Sequence, residues 1–170
     1  MKPETEYYKL KVFDLNSNKI TESNLTVDRG LHPINGNVIW SVKFDFQGEQ
    51  IESENLYFLS ESINKIREII EPRGFRLLVK CSDSDAKHSG MQADMSAGTL
   101  IYKMKETKTG GGYASYHVLA ESDINSVVSL KEQKKNNEEY LATVKHEMQA
   151  CKNAKQKTSR SWWKKLFGSE

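Results

Sequence analysis

The chain has 170 residues, a net charge of +2 and 37% hydrophobic residues, which suits one domain with a substantial core and is short for two. No apolar run approaches the roughly 20 residues that a membrane-spanning helix needs. The two cysteines, Cys81 and Cys151, have no metal-binding spacing and are too few for a disulfide scaffold, which favours reduced thiols in the cytoplasm.

Two segments near the N-terminus alternate between apolar and polar residues, as half-buried strands do. They read YYKLKVFDL (7–15) and VIWSVKFDF (38–46), and we expect them to pair with each other. Residues 16–37 lie between them and are rich in Asn, Ser, Thr and Gly. That composition predicts a loop with room for one short strand.

The middle of the chain predicts one helix and three strands. Apolar residues recur every three or four positions between Ser53 and Ile70, which is the pattern of an amphipathic helix, and EPRG then ends it. FRLLVKC (75–81) is the most apolar segment and is predicted to be the central strand. TLIYKMKE (99–106) and YASYHVLA (113–120) flank TKTGGG and predict a hairpin.

A long helix is predicted from an N-cap at Ser122 or Asp123 to Cys151. Apolar residues occupy both ends of its heptad pattern and polar residues its middle, so it either packs on the domain at both ends or forms a self-association seam. The predicted fold is therefore a single α+β domain: a mostly antiparallel sheet of about five strands with one packed helix, a short helix in the 88–97 loop, and the long C-terminal helix.

The segment CSDSDAKHSGMQADMSAG (81–98) holds the candidates for a site. Its polar candidates are Asp85, His88, Ser89 and Asp94. A Cys81–His88 pair would suit a thiol nucleophile, and the carboxylates with the histidine would suit a divalent cation. However, Lys87 stands where a calcium loop needs an oxygen ligand. We therefore expect a structural loop with no catalytic residue, metal or cofactor.

The same segment resembles a motif of small uncharacterised bacterial proteins. The motif reads Arg76-Leu77-Leu78, Asp85, Ser89-Gly90-Met91, Met95, Gly98 and Tyr102, followed by Glu132-Gln133 and Tyr140. The resemblance covers residues 75–141 and implies a bacterial origin and a loop that acts as a binding surface, with no activity to transfer. Here His88 replaces a usual proline, and Asp83 and Ser84 replace common arginines, which weakens the case for anion binding by this loop.

Residues 152–170 form a basic, aromatic tail after a domain at residues 1–151. Six basic residues and no acidic one lie between Lys152 and Lys165. On a helix, one face would carry Trp162, Trp163, Leu166 and Phe167, and the rest would carry Arg160, Lys164 and Lys165. Such a face suits anionic lipid, a groove on a partner, the core of the chain itself, or nucleic acid, the last being the least favoured.

Three functions remain open. The first is a non-enzymatic bacterial interaction protein with a protein partner, as in toxin–immunity pairs or phage defence. The second is a peripheral membrane adaptor, cytoplasmic and recruited to the inner leaflet by its tail. The third is a small enzyme or ligand-binding domain that uses the 81–98 loop.

Overall fold

The computed structural model describes residues 4–87, 96–107 and 113–167. In chain order, its elements are β1 (Glu4–Asp14), β2 (Lys19–Leu31), β3 (Val38–Phe46), β4 (Glu49–Leu56), α1 (Leu59–Ile70), β5 (Phe75–Leu77), β6 (Ala86–Lys87), β7 (Leu100–Thr107), β8 (Tyr113–His117) and α2 (Leu130–Phe167). Short 3₁₀ helices span Glu71–Arg73 and Lys80–Ser82. The α+β class predicted from the sequence is confirmed.

The main sheet is antiparallel and has the strand order β4-β3-β2-β1-β5. β1 and β2 form a long hairpin in register from Glu4↔Arg29 to Asp14↔Lys19. The prediction of a loop over residues 16–37 is therefore wrong for most of its length. The first residues of β2 are exposed and, apart from Ile20, polar, and of the apolar residues Leu25 and Val27 are buried. This strand therefore has little of the alternation on which prediction from sequence depends.

β2 also separates the two strands that we expected to pair. β3 runs antiparallel to β2, from Leu25↔Phe44 to Leu31↔Val38, so the predicted pairing of residues 7–15 with residues 38–46 is wrong. The inner face of β3 carries Trp40, Val42, Phe44 and Phe46, all buried. The predicted strand itself, residues 38–46, is confirmed.

β4 replaces the predicted beginning of the first helix. Gln47 and Gly48 have φ of 51° and 82°, as a two-residue hairpin turn requires, and β4 returns from this turn beside β3. Ile51 and Ser53 then face the core. The helix begins at Leu59 rather than at Ser53, and it ends at Ile70 as predicted.

β5 lies at an edge of the sheet, paired only with β1, so the prediction of a central strand over residues 75–81 is wrong. Leu77, Leu78, Val79 and Cys81 are all buried. Beyond Leu77 the chain leaves the sheet and enters the 3₁₀ helix Lys80–Ser82. This segment is apolar because it is covered on all sides, not because it is central.

A second, three-stranded sheet has the order β6-β7-β8. β7 and β8 pair antiparallel, which confirms the predicted hairpin, although its tip at residues 108–112 lies outside the described residues. Most of the predicted short helix at residues 88–97 also lies outside them. Among the residues that the structure describes, no helix is long and apolar enough to cross a membrane.

The last helix, α2, begins at Leu130, which is six or seven residues later than a cap at Asp123 or Ser122 predicts. Asp123 closes a tight turn instead, in which its carboxylate accepts from the Asn125 N–H (2.8 Å) and its carbonyl from the Ser126 N–H (3.0 Å). The helix starts at Leu130 after Ser129, whose hydroxyl accepts from the Glu132 N–H (3.2 Å). Its backbone then continues beyond Cys151, the predicted end, to Phe167.

The chain divides into two compact units, with the boundary between Lys134 and Lys135. We call the described residues before this boundary the body, and the helical residues 135–167 the arm. The body holds both sheets, α1 and the first turn of α2.

Candidate functional site

Arg67 on α1 has no exposed surface and is the centre of a buried polar network. Its guanidinium donates to Glu71 Oε1 (2.8 Å), to Gln133 Oε1 (2.7 Å) and to the Val128 carbonyl (3.0 Å). A buried charge is costly unless it has such partners. Because these bonds join α1, the segment before α2 and the first turn of α2, the network holds the beginning of α2 within the body.

Gln133 and Glu71 extend the network. The Gln133 amide donates to the carbonyl oxygens of Cys81 (2.8 Å) and Asp83 (2.7 Å). The second carboxylate oxygen of Glu71 accepts from the Leu130 N–H (2.7 Å), the first residue of α2. The N-terminal end of α2 and the first residues of the 81–98 segment are therefore bound to the same group of side chains.

A second buried cluster surrounds Asp83. The Ser122 hydroxyl donates to Asp83 Oδ1. Asp83 Oδ2 makes no hydrogen bond within the described residues, but the ammonium groups of Lys103 (3.4 Å) and Lys80 (3.6 Å) lie close enough to neutralise it. Asp85 Oδ1 lies 3.9 Å from the same Lys103 ammonium group. Asp85, one of the four predicted loop candidates, therefore lies beside this ion cluster in the body.

The other three loop candidates, His88, Ser89 and Asp94, lie outside the described residues. Across residues 4–87, 96–107 and 113–167, no group of three or more His, Cys, Asp or Glu side chains could hold a metal ion.

Cys81 is buried, and its thiol is free. Burial raises its pKa to about 11, against the opposing effect of the Arg67 charge. A thiol that stays protonated and inaccessible at neutral pH is a poor nucleophile. This environment suits the structural interpretation of Cys81 rather than the nucleophilic one.

Most side chains of α2 that the structure describes are exposed. Leu130 and Gln133 are the buried residues of α2 among those whose side chains the structure describes. Leu141 is 39% exposed, Met148 is 58% exposed, and Val144 between them is half-buried. These three residues have i, i+3, i+7 spacing and so share one face of the helix; we call them the arm stripe.

The tail residues lie within the arm, and their backbone is helical as far as Phe167. The apolar residues of the predicted face are Trp162, Trp163, Leu166 and Phe167, and the basic residues are Arg160, Lys164 and Lys165; the structure describes the backbone of all seven but not their side chains. The tail therefore has the helical backbone that the predicted amphipathic face requires.

No protein-family model matches this chain, and none of the curated proteins matches it either. The function must be argued from the surfaces and networks of the molecule.

Sequence reasoning missed the residues of the Arg67 network, although a signal was present. Arg67 lies four residues after Ile63 and three before Ile70, both fully buried, so it occupies the apolar face of α1. A charged residue at such a position requires buried partners. Gln133 is part of the motif that resembles the bacterial proteins, but no pattern in the sequence predicted that it would be buried.

Proposed function

We propose that this protein is a non-enzymatic interaction module, in which the body presents the arm to a protein partner. The arm stripe, in which Leu141 and Met148 are exposed, carries the proposal. Large apolar side chains at helical spacing, with polar neighbours around the rest of the helix, are the pattern by which a helix docks into a partner's groove. Each such side chain stabilises a complex by roughly 1.5–3 kcal/mol when it becomes fully buried.

The buried charges of the body support an architectural role rather than a catalytic one. Arg67, Glu71 and Gln133 bond to one another and to backbone groups from α1 to α2. Asp83 is likewise neutralised by its neighbours. These groups are used to join elements, and the exposed Leu141 and Met148 of the arm remain available to a partner.

Affinity capture from cells of the source organism tests the arm stripe. The variant Leu141→Glu/Met148→Glu places two charges on the stripe. The matched control Thr143→Glu/Ala150→Glu places the same charges on the opposite face, at positions that are also exposed. We expect a protein to co-purify with the wild type and the control but not with the stripe variant. Equal capture by all three would overturn the proposal.

A second candidate function, a peripheral membrane adaptor, is favoured by the tail. Its helical backbone allows the aromatic side chains to share one face, and the six basic residues from Lys152 to Lys165 suit an anionic leaflet. Each basic residue near such a surface stabilises binding by about 1 kcal/mol, an effect that salt weakens.

Flotation with anionic and neutral liposomes tests this second function. The full chain is compared with a chain that ends at Thr158, at low and at moderate salt. An adaptor would float with anionic liposomes only when the tail is present, and less at higher salt. If neither chain floats, the tail does not bind membranes.

A further inference from the structure

A groove of about 460 Å³ opens on the body between the end of α1 and the beginning of α2. Its volume is within the range of ligand pockets, roughly 300–1,000 Å³. It is lined by basic side chains, by Glu68 and Glu71, and by the apolar side chains of Pro72 and Leu130.

Three cations of this groove have no acidic partner within the described part of the chain: Arg76, Lys131 and Lys134. Arg76 uses its Nη1 group to donate to the carbonyl oxygens of Phe75 (3.0 Å) and Glu71 (3.5 Å). Those bonds hold its guanidinium at the groove. The three cations therefore form a positively charged wall.

The two carboxylates of the groove do not neutralise this wall. Glu71 is taken by Arg67 (2.8 Å) and by the Leu130 N–H (2.7 Å). Glu68 pairs with Lys65 (3.1 Å), outside the groove. The charge that remains for a ligand is therefore positive.

The two lysines stand where the helix itself disfavours them. Lys131 and Lys134 are three residues apart in the first turns of α2, so they repel each other and oppose the positive end of the helix dipole. The first-turn backbone N–H groups of Leu130 and Glu132 are already bonded to Glu71 and Ser129. The side chains of the groove, and not the helix end, would meet a ligand.

Apolar surface completes the groove. Pro72 and Leu130 contribute to the lining beside the cations. A bare inorganic anion would leave this apolar part and most of the volume unused. An occupant that matches both parts carries acidic groups and at least one apolar side chain.

We propose that this groove binds an acidic peptide segment of a protein partner, with carboxylates against Arg76, Lys131 and Lys134 and an apolar side chain against Pro72 and Leu130. The groove belongs to the body, and the inference does not depend on the arm stripe. A failure of the stripe experiment would leave it standing.

Amide NMR on the full chain tests the proposal. The probe is a blocked hexapeptide of alternating glutamate and leucine, titrated to about 1 mM. We expect shifts at residues 71–76 and 129–134, and binding that weakens as salt rises. The variant Lys131→Glu/Lys134→Glu should bind about tenfold more weakly. The control Lys145→Glu/Lys152→Glu changes the net charge equally at exposed arm positions and should bind like the wild type.

Three companion ligands separate the alternatives. The matching peptide with glutamine in place of glutamate should bind about tenfold more weakly; equal binding would overturn the role of the charge. Inorganic phosphate or oligothymidylate that shifts the same residues more strongly than the acidic peptide would overturn the peptide as occupant. So would an absence of shifts with the acidic peptide, or equal binding by the groove variant.

Discussion

At the scale of single residues, Arg67 has the largest predicted effect on stability. Arg67→Met keeps much of the side-chain volume but leaves Glu71, Gln133 and the Val128 carbonyl without their donor. We expect a loss of about 3–5 kcal/mol in the free energy of unfolding, because breaking a buried pair leaves an uncompensated charge. Urea denaturation measures this loss as a lower midpoint.

An exposed ion pair provides the control for Arg67. Arg73 and Glu49 lie 2.9 Å apart, with side chains 42% and 60% exposed. Arg73→Met should change the unfolding free energy by at most about 1 kcal/mol. Equal losses for the two variants would show that the Arg67 network does not hold the body together.

Cys81 predicts how stability depends on pH. Its thiol has a pKa of about 11 when folded and about 8.5 when unfolded. Above pH 8.5 the unfolded chain therefore releases this proton and the folded chain keeps it, so stability falls as pH rises through this window.

The effect of pH on the unfolding free energy is measured between pH 8 and 10. The pKa of Tyr8 is raised to about 12, so this residue affects stability mainly at higher pH. In a Cys151→Ser background, we expect a loss of about 1–2 kcal/mol over these two pH units. Cys81→Ala should remove most of this slope. An unchanged slope in that variant would assign the effect to other groups.

At the scale of elements, the start of β7 approaches the start of α1 at Gly98. Its φ is +73°, and an added Cβ would lie 2.5 Å from Phe58 Cβ and 2.7 Å from Phe58 Cα. Gly36 has a similar φ of +70° but nothing within 4 Å. Gly98→Ala should therefore lower the unfolding free energy by roughly 1–3 kcal/mol more than Gly36→Ala. Equal urea midpoints for the two variants would contradict this close packing.

The sequence predicted the elements whose side-chain period is regular. Apolar and polar residues alternate strictly from Trp40 to Phe46, and the apolar stripe of α1 ends at Ile70. The predicted strand over residues 38–46 and the predicted end of the helix were therefore confirmed. Prediction from the sequence was wrong where apolar residues are buried by tertiary contacts rather than by a regular strand or helix pattern. Residues 77–79 and Cys81 are apolar because they are enclosed. Residues 53–56 were predicted to begin the helix, although they belong to β4, which pairs with β3.

The helix start at Leu130 depends on contacts that no local pattern contains. Asp123 is a good N-cap residue, but its carboxylate closes a turn instead. The start is set by Glu71 and Arg67, about 60 residues earlier in the chain. Long-range bonds of this kind also explain why the candidate groove was not predicted: its cations come from separate segments that only folding brings together.

At the scale of the whole molecule, the boundary at Lys134 predicts that the body does not need the arm. A chain that ends at Glu138 keeps Leu130 and Gln133, the buried residues of α2 within the described part. Its body should unfold within about 0.5 kcal/mol of the full chain. By contrast, Gln133→Ala in the full chain should cost about 1–3 kcal/mol, because it leaves buried groups unpaired.

Urea denaturation in a Trp162→Phe/Trp163→Phe background, in which buried Trp40 is the only tryptophan, compares the stability of each protein with that of the full chain by fluorescence. A large loss of stability in the shortened chain would mean that the body depends on the arm. The arm would then be a structural element rather than a surface for a partner.

Photo-cross-linking in cells of the source organism tests the central claim most directly, because it reports contact rather than co-purification. A photoreactive amino acid replaces Met148 on the stripe or, as a control, Ala150 on the opposite face; both positions are exposed. The interaction-module account predicts a discrete adduct with another protein from position 148 and little from position 150. Equal labelling at both positions, or an adduct only with a second copy of this chain, would contradict it.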